Sequence, residues 1–253
     1  MKYLCFIVIA LTIVSCKNEP EVKSLFADEI INNSIEVSGG NVFNSPIVNI
    51  EFNFRDILYK SSYTTDAKVL SRFMVKENDS IIDFLRGEIF QRYINAKFTK
   101  VEDSMVKKYS ASVNSVHYFS VLPYGLNDKA VNKTLLGEEQ IKEKDYYKIK
   151  VTFDKEGGGE DYEDVFVYWI DKQNFKVCYL AYSYNEDDGI GMRFREAYNE
   201  RYVNGLRFVD YKNYKAEDPE TKLFDLGIAF ENNQLKLVSK IELENVTVDL
   251  VNL

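Results

Sequence analysis

An alternation of apolar and polar residues that begins near Ile47 restricts the fold of this chain more than any other feature. Residues 47–55 read IVNIEFNFR, so from Val48 onward every second side chain is apolar. A period of two places alternate side chains on opposite faces of a β-strand, and one apolar face indicates a sheet buried on one side. Further strand-like runs, separated by turn-forming residues, follow at 58–65, 69–75, 81–85 and 89–94. The sequence therefore predicts a meander of antiparallel hairpins.

A second strand-rich region occupies the C-terminal half of the chain. Strands are predicted at 146–153, 165–170, 176–184, 192–202, 206–214 and 235–248. Between two of these runs, Asn204-Gly205 is typical of a two-residue hairpin turn. The 18 Tyr and 17 Phe support this interpretation, because both residues favour the pleated, half-buried surface of a sheet. No linker or low-complexity stretch divides the chain, and we predict one mainly β (α+β) domain over residues 25–253.

Two segments have helical rather than strand periodicity. In residues 22–37 apolar side chains recur at helical spacing, and Gly39-Gly40 follows as a helix stop. In residues 101–126 they recur along one helical face until Pro123. The second half, residues 113–126, is too apolar for a solvated helix, and we predict that it forms a lid over the apolar interior of the sheet. The predicted lid and ligand-cavity residues are Val113, Val116, Phe119, Leu122 and Tyr124.

The first sixteen residues resemble the signal of a bacterial lipoprotein. Lys2 precedes an apolar run over residues 4–14, which is shorter than the ~20 residues that span a bilayer. Ile13-Val-Ser-Cys16 then resembles the lipobox, with a branched apolar residue first and a small residue before the cysteine. The resemblance implies a signal peptide over residues 1–15, acylation of Cys16, and a tether over residues 16–24. An ordinary secretory signal or a short N-terminal anchor is the alternative.

This signal predicts a location in the bacterial cell envelope. Two or three acyl chains on Cys16 give stable membrane anchoring. Lys17 stands where an Asp retains some lipoproteins in the inner membrane, which favours the outer membrane, facing the periplasm or the cell surface. The net charge of −8, without basic clusters, argues against nucleic acid and against charge-driven binding to anionic lipid. We therefore expect membrane contact through acylated Cys16, and the sequence identifies no protein partner.

The sequence contains no motif for catalysis. His117 is the only histidine, which excludes zinc sites built from several histidines, and no nucleotide-binding glycine loop or serine-hydrolase elbow is present. Once Cys5 leaves with the signal and Cys16 is acylated, Cys178 is the only free thiol, and its place in an apolar strand favours an inert buried thiol. We expect no enzyme, no catalytic residue and no cofactor, with a hydrolase that uses a carboxylate pair as the alternative.

Residues 154–164 are unusual because six carboxylates surround three consecutive glycines. Oxygen-rich loops suit Ca²⁺, although the spacing differs from that of an EF-hand. The weak candidate metal ligands are Asp154, Glu156, Glu160 and Asp161. The alternative, which the sequence favours, is a solvated hairpin loop in which the glycines supply positive φ and the acids keep the tip soluble.

Several predicted strands are apolar on both faces. Residues 165–170 read VFVYWI and residues 177–184 read VCYLAYSY. An antiparallel sheet with one face in water would alternate more regularly. These strands therefore indicate a sheet that curves around a core or cavity on one face and is covered on the other. A lipophilic cavity and a well-filled core both fit this pattern.

The order of these segments resembles the LolA/LolB-type superfamily of envelope lipoproteins and lipoprotein carriers. Residues 169–177, a strand–turn–strand unit, and residues 204–208, which read NGLRF, are similar to hairpins of that superfamily. The resemblance implies a curved, unclosed antiparallel β-barrel with an N-terminal helix and a helical lid insertion around an apolar cavity. On this resemblance, residues 25–253 form a single half-barrel domain.

Four local motifs resemble a more specific family, uncharacterised lipoproteins of Bacteroidetes-type bacteria. They are SVHYF at 115–119, LPYGL at 122–126, GGGED at 157–161 and RFREAYNERY at 193–202. That family has no assigned activity, and so the resemblance implies no functional residues.

Two functions fit these features. The first is a membrane-anchored, non-enzymatic lipoprotein that binds a lipid or acyl chain in an apolar cavity of about 300 Å³ or more. The second is an envelope structural or interaction lipoprotein whose core is filled by its own side chains. An open cavity between residues 113–126 and the sheet would favour the first function.

Overall fold

A computed structural model of the chain describes residues 25–159, 162–186 and 189–251. The predictions for the signal, Cys16, the tether, Glu160 and Asp161 lie outside these residues. Within them, the predicted mainly β class is confirmed, because the chain forms two unclosed antiparallel sheets and a few helices.

The first sheet, sheet A, contains the alternating strands that begin at Ile47. Its members are β1 (Ile47–Phe54), β2 (Ile57–Thr64), β3 (Lys68–Lys76), β4 (Asp79–Arg86), β5 (Ile89–Ile94), β6 (Lys97–Thr99) and β14 (Glu244–Val251). Strands β1 to β6 follow one another across the sheet, and β14 lies beside β1 at the edge. Val48, Ile50 and Phe52 are buried on one face, as their alternation predicts.

The second sheet, sheet B, is formed by the C-terminal half of the chain. Its members are β7 (Val131–Ile141), β8 (Lys144–Phe153), β9 (Val165–Asp171), β10 (Val177–Glu186), β11 (Gly189–Val203), β12 (Leu206–Ala216) and β13 (Leu235–Ile241). These strands also follow one another in sequence order. Asn204 and Gly205 join β11 to β12 with positive φ at both residues, so the predicted hairpin is confirmed.

One predicted strand, residues 235–248, is wrong because the chain changes sheets within it. Strand β13 ends at Ile241 beside β12, and β14 begins at Glu244 beside β1. Buried Asp210 holds the crossing, since its carboxylate accepts the backbone N–H of Leu243 at 3.0 Å. Both halves keep a strand-like pattern, and so periodicity alone does not mark the change. Periodicity also failed to predict β6, which is only three residues long, and β7, which is half exposed.

Helix α1 (Ala27–Val37) begins later than the predicted residue 22. Glu29 fixes its start, because the carboxylate accepts the backbone N–H of Phe26 at 2.9 Å. The predicted glycine stop is confirmed. Gly39 has a φ of 81°, and a Cβ there would lie 1.9 Å from the carbonyl oxygen of Gly205, so only glycine fits.

Helix α2 (Asp103–Ser120) ends before the predicted residue 126, and a 3-10 turn follows at Tyr124–Asn127. Pro123 explains the break, because proline lacks an N–H and disfavours helical backbone at the residue before it. A third helix, α3 (Leu226–Glu231), was not predicted, since six residues are too few for a periodic signal.

Sheet B is covered on both faces, which explains its doubly apolar strands. On one face, fully buried Tyr168 belongs to a cluster that contains Ile30 and Ile31 of α1. On the other face, fully buried Trp169 belongs to a cluster that contains Phe230 of α3. Neighbouring residues of β9 therefore lie in two separate cores.

Candidate functional site

Residues 113–126, which run from the middle of α2 into the following 3-10 turn, lie between the two sheets. Val113 packs against Leu70 and Leu85 of sheet A, whereas Phe119 and Leu122 belong to the cluster of sheet B. The other two predicted lid residues, Val116 and Tyr124, pack at the cluster shared by β1 and β12. The segment thus brings the five predicted residues to three different clusters, and their role in ligand binding stays a prediction.

A cleft opens between α2 and sheet A, beside the turn that joins β2 to β3. Its volume is about 310 Å³. Tyr63 and Leu70 line it from the sheet, and Tyr118, Val121 and Tyr124 line it from residues 113–126. The ring of Tyr124 stacks on that of Phe43, with centroids 3.5 Å apart. This wall is therefore aromatic and stiff.

The more exposed residues that line the same cleft are polar. They include Thr64, Thr65, Lys68 and Asp128. Apolar walls below a polar opening are the arrangement that an amphiphile requires, because its chain leaves water while its head keeps polar contacts.

His117 lines the cleft as a buried side chain that is 1% exposed. Its Nε2 lies 3.0 Å from the carbonyl oxygen of Ser71 and can donate to it. Burial lowers the pKa of His117 to about 4, so the ring is neutral at pH 7. The ring meets Phe52 and Tyr59 edge-on, and Nδ1 has no hydrogen-bond partner among the described residues. His117 is thus a packed histidine with one unused acceptor.

Near this cleft, three charged side chains form a row across the inner face of sheet A. Arg72, Asp83 and Arg92 come from adjacent strands, and Asp83 is fully buried. The Nε atoms of Arg72 and Arg92 donate to Asp83 at 2.8 and 2.7 Å. Helix α2 completes the row, because Arg72 donates to Ser112 Oγ at 2.7 Å and the Tyr109 ring centroid lies 3.8 Å from the Arg92 guanidinium carbon. The row therefore fixes α2 on sheet A.

Arg195 of β11 is a buried arginine on the inner face of sheet B, which is the face that contains Tyr168 and Tyr211. Among the described residues it has no carboxylate partner of the kind that Asp83 provides for Arg72 and Arg92. It is 8% exposed, and no carboxylate of the described residues lies at ion-pair distance from it. Its Nη2 donates to the hydroxyl oxygen of Tyr182 at 2.8 Å, whereas its Nε is buried without a partner. The guanidinium carbon lies 3.9 Å from the ring centroid of Phe119.

The hydrogen bond and the ring contacts of Arg195 with the described residues all involve neutral groups. A cation–π contact contributes up to about 2 kcal/mol, whereas the effective desolvation penalty of a buried ion is several kcal/mol. Buried charges in proteins are accordingly paired with an opposite charge in most cases. Arg195 is therefore a buried cation whose positive charge the described residues do not neutralise.

Four tyrosines, two buried and two half-buried, lie around Arg195 and connect it to the cleft. The ring centroids of Tyr182 and Tyr211 lie 4.9 and 5.9 Å from its guanidinium carbon. The hydroxyls of Tyr118 and Tyr168 are 2.9 Å apart, and Tyr118 also lines the cleft. Burial raises the pKa of Tyr118 and of Tyr168, so both hydroxyls are protonated at neutral pH. This part of the interior thus combines one cation with several hydroxyl groups.

The interior charges were not among the residues predicted from the sequence. A charge at an inward position of a strand is the signal that could have found them. Arg72 follows Leu70 at the inward positions of β3, and Asp83 precedes Leu85 in β4. For Arg195 the signal is weaker, because both faces of β11 carry apolar residues and the inward face is known only from the packing of sheet B.

The other sequence candidates lie away from this site. Burial raises the pKa of Cys178 to about 11, so its thiol is protonated at neutral pH, as expected of an inert cysteine. Asp154 accepts a hydrogen bond from Asn132 at 2.8 Å, and Glu156 is exposed. Among the described residues no three metal-ligating side chains form a group. No helix in the same part of the chain has the length and apolarity to cross a membrane.

Comparison with known families gives a result at the level of the family. The sequence profile described as a family of unknown function (DUF6503) matches residues 47–243. The expectation of a family without an assigned activity is therefore confirmed, and the bacterial group stays a prediction. No protein of curated function matches this sequence.

Comparison with solved structures finds similar chains, including the following three. A LolA superfamily protein from Nitrosomonas europaea is 13% identical with a TM-score of 0.49, over 91% of this chain and 96% of that chain. A DUF1329 family protein from Desulfovibrio piger is 14% identical with a TM-score of 0.42, over 90% and 95%. An outer membrane lipoprotein-sorting protein domain from Vibrio parahaemolyticus is 11% identical with a TM-score of 0.39, over 81% and 98%. At these values no ligand or activity is transferred to this chain.

Proposed function

Since this chain belongs to the DUF6503 family, whose function is unknown, we propose from its own structure that it binds a lipid or acyl chain between α2 and the two sheets. The observation that carries the proposal is the cleft of about 310 Å³ beside Tyr63, Leu70 and Val121. Ligand pockets have volumes of about 300 Å³ upward. The cleft is therefore large enough for part of one amphiphile, with its chain against the aromatic wall.

Entry of a longer chain requires residues 113–126 to move. The N-terminal half of α2 is held by Ser112 and Tyr109 on the charged row. Beyond Ser112 the contacts of the segment are mainly apolar and aromatic, and Phe119 remains partly exposed. Contacts of this kind are non-directional, and so side chains can slide or be replaced by an acyl chain of similar polarity.

In this proposal the protein is an envelope lipoprotein, held at a membrane by acylated Cys16 and without enzymatic activity. The lipobox over residues 13–16 and the lack of a catalytic motif support it. The tether reaches at most ~3.5 Å per residue, which gives roughly 30 Å for residues 16–24. A site this close to the bilayer can exchange lipid with it. A Cys16→Ser variant should move to the aqueous phase of a detergent separation. A variant that stayed membrane-bound, together with a parent chain that is mainly unprocessed, would contradict the anchor.

A second function is favoured by the packing of the interior. Phe119, Leu122 and Tyr168 occupy the space beside sheet B where the sequence predicts a cavity or a core. An envelope interaction protein with a filled core and no small ligand would have this arrangement.

A direct binding experiment distinguishes the two functions. The full chain with Cys16→Ser, which carries no acyl chain of its own, is titrated with the fluorescent fatty acid cis-parinaric acid and examined by native mass spectrometry for bound lipid. Ala67 lines the cleft at the β2–β3 turn, and Ala67→Trp should weaken probe binding at least tenfold by filling it. Gln91→Trp, on an exposed position of sheet A outside the cleft, is the matched control. No probe binding and no bound lipid in the parent chain would support the filled-core function instead.

A further inference from the structure

We infer that Arg195 binds the anionic head group of the amphiphile, so that the ligand class is an acyl chain that ends in a carboxylate or a phosphate. This inference rests on the proposed function and specifies its ligand. The observation behind it is a cation that is buried on the inner face of sheet B with a free Nε and without a carboxylate among the described residues.

The other arginines that are buried to the same degree are neutralised within the chain. Arg72 is 7% exposed and donates to Asp83 at 2.8 Å. Arg207 is 4% exposed and its guanidinium contacts the carboxylate of Glu200 at 2.5 Å. Among the described residues, carboxylates neutralise these two buried guanidinium groups and none neutralises Arg195. A group from outside the chain would supply the missing negative charge.

The free groups around Arg195 suit an oxyanion. A guanidinium binds carboxylate and phosphate through N–H groups at its edge, in the plane of the group. The guanidinium carbon of Arg195 lies 3.9 Å from the ring centroid of Phe119 and 4.9 Å from that of Tyr182, and Nε, an N–H at the edge, has no partner among the described residues. Because Tyr182 accepts its hydrogen bond from Arg195, the hydroxyl proton of Tyr182 can be donated to the same anion.

The position of Arg195 also suits a ligand whose chain lies in the cleft. Phe119 covers Arg195, and the adjacent residue Tyr118 lines the cleft and contacts Tyr168. Movement of residues 113–126 would therefore open the cleft and expose Arg195 together. A head group at Arg195 and a chain along Tyr118 would then occupy one continuous site.

The test compares ligands that share a chain and differ in the head group. The full chain with Cys16→Ser is loaded with the neutral dye Nile red, and the dye is displaced with oleate, oleyl phosphate or oleyl alcohol. We expect the two anionic ligands to displace the dye at concentrations at least tenfold lower than the alcohol. Inorganic phosphate alone should not displace it, because the acyl chain supplies the apolar contacts.

Arg195→Met should remove the preference for the anionic ligands while the alcohol binds as before, and Arg195→Lys should keep part of the preference. Arg86→Met, at an exposed arginine of sheet A, is the control and should keep all of it. Equal displacement by oleate and oleyl alcohol in the parent chain, or an unchanged preference in Arg195→Met, would overturn the inference and leave the proposed function intact. Failure of all three acyl ligands to displace the dye, or of the dye to bind, would instead overturn the proposed function and the inference together.

Discussion

The inner faces of the two sheets each bury an arginine under α2, and the two arginines differ in one respect. Arg72 on sheet A and Arg195 on sheet B are 7% and 8% exposed, and each contacts an aromatic ring of the helix. Arg72 has Asp83 as its counter-charge, whereas Arg195 has no carboxylate partner among the described residues. Burial alone therefore does not reveal what a charge does. The partner shows that Arg72 completes the structure, and the lack of one among the described residues makes Arg195 the candidate for a ligand.

The largest effect on stability is expected when the counter-charge of Arg72 on sheet A is removed. Asp83→Asn should reduce the free energy of unfolding by about 3–5 kcal/mol, because two arginines lose the counter-charge of a fully buried carboxylate. Urea denaturation measures the change. Asp66→Asn, in the exposed β2–β3 turn, serves as the control and should change stability by less than about 0.5 kcal/mol. Similar losses in both variants would show that the charged row does not stabilise the fold.

The pH dependence of stability tests the packing on sheet A at a second residue, buried His117. Its folded-state pKa of about 4 lies below the ordinary value of 6.5, so the unfolded chain binds the proton more tightly. The contribution of neutral His117 to the free energy of unfolding is complete above pH 6.5. It is lost as the pH falls from 6.5 to about 4, for a total loss of about 3 kcal/mol. Urea denaturation at several pH values should show this loss, and His117→Asn should lack that part of it. The same slope in both proteins between pH 6.5 and 4 would contradict the prediction.

A smaller loss of stability is expected at Tyr118, which connects the cleft beside sheet A to Tyr168 of sheet B. Tyr118→Phe removes the hydrogen bond to Tyr168 and leaves one buried hydroxyl, at a cost of about 1–2 kcal/mol. Thermal unfolding should detect the loss. Tyr162→Phe, in the loop between β8 and β9, should leave the melting temperature unchanged. Equal melting temperatures for the parent chain and Tyr118→Phe would mean that this contact does not hold residues 113–126 in place.

The smallest change in stability is expected when Arg195 on sheet B is replaced. Arg195→Met replaces an unneutralised cation with an apolar side chain of similar length, so the free energy of unfolding should stay within about 1 kcal/mol or rise. Arg72→Met leaves Asp83 paired with only one arginine, Arg92. The free energy of unfolding of this variant should fall by several times more. Both values come from the same urea titrations. A large loss in Arg195→Met would show that Arg195 stabilises the fold as Arg72 does.

The sequence predicts the fold better than the site, and particular residues show why. The alternation from Ile47 and the Asn204-Gly205 turn are local signals, and both elements form where expected. The change of sheet between Ile241 and Glu244 cannot be read locally, because β13 and β14 differ in their partners and not in their pattern. Residues 113–126 are predicted as a lid over one apolar interior, whereas their division between the two sheets depends on packing over long sequence distances.

The charged interior residues illustrate the same limit. Arg72 and Arg195 are both arginines at inward strand positions, and nothing local to either residue states whether a carboxylate faces it. For Arg72 the answer depends on the register of β3 with β4, which places Asp83 directly opposite. For Arg195 the opposite residue on β10 is Leu180. Register is set by the whole sheet, and so the difference becomes visible only in the folded chain.

The pairing of β1 with β14 has a consequence for the order in which the protein can be made. Ile47 near the start of sheet A pairs with Val251 near the end of the described chain, so one edge of β1 stays open until almost every other residue is present. Contacts this distant in sequence form slowly, and an open strand edge invites pairing with other chains. Because a chain is synthesised from its N-terminus, β1 must avoid pairing with the wrong strands until β14 has been made. Loss of β14 would make β1 the edge strand of sheet A and leave unpaired the backbone groups that β14 now satisfies.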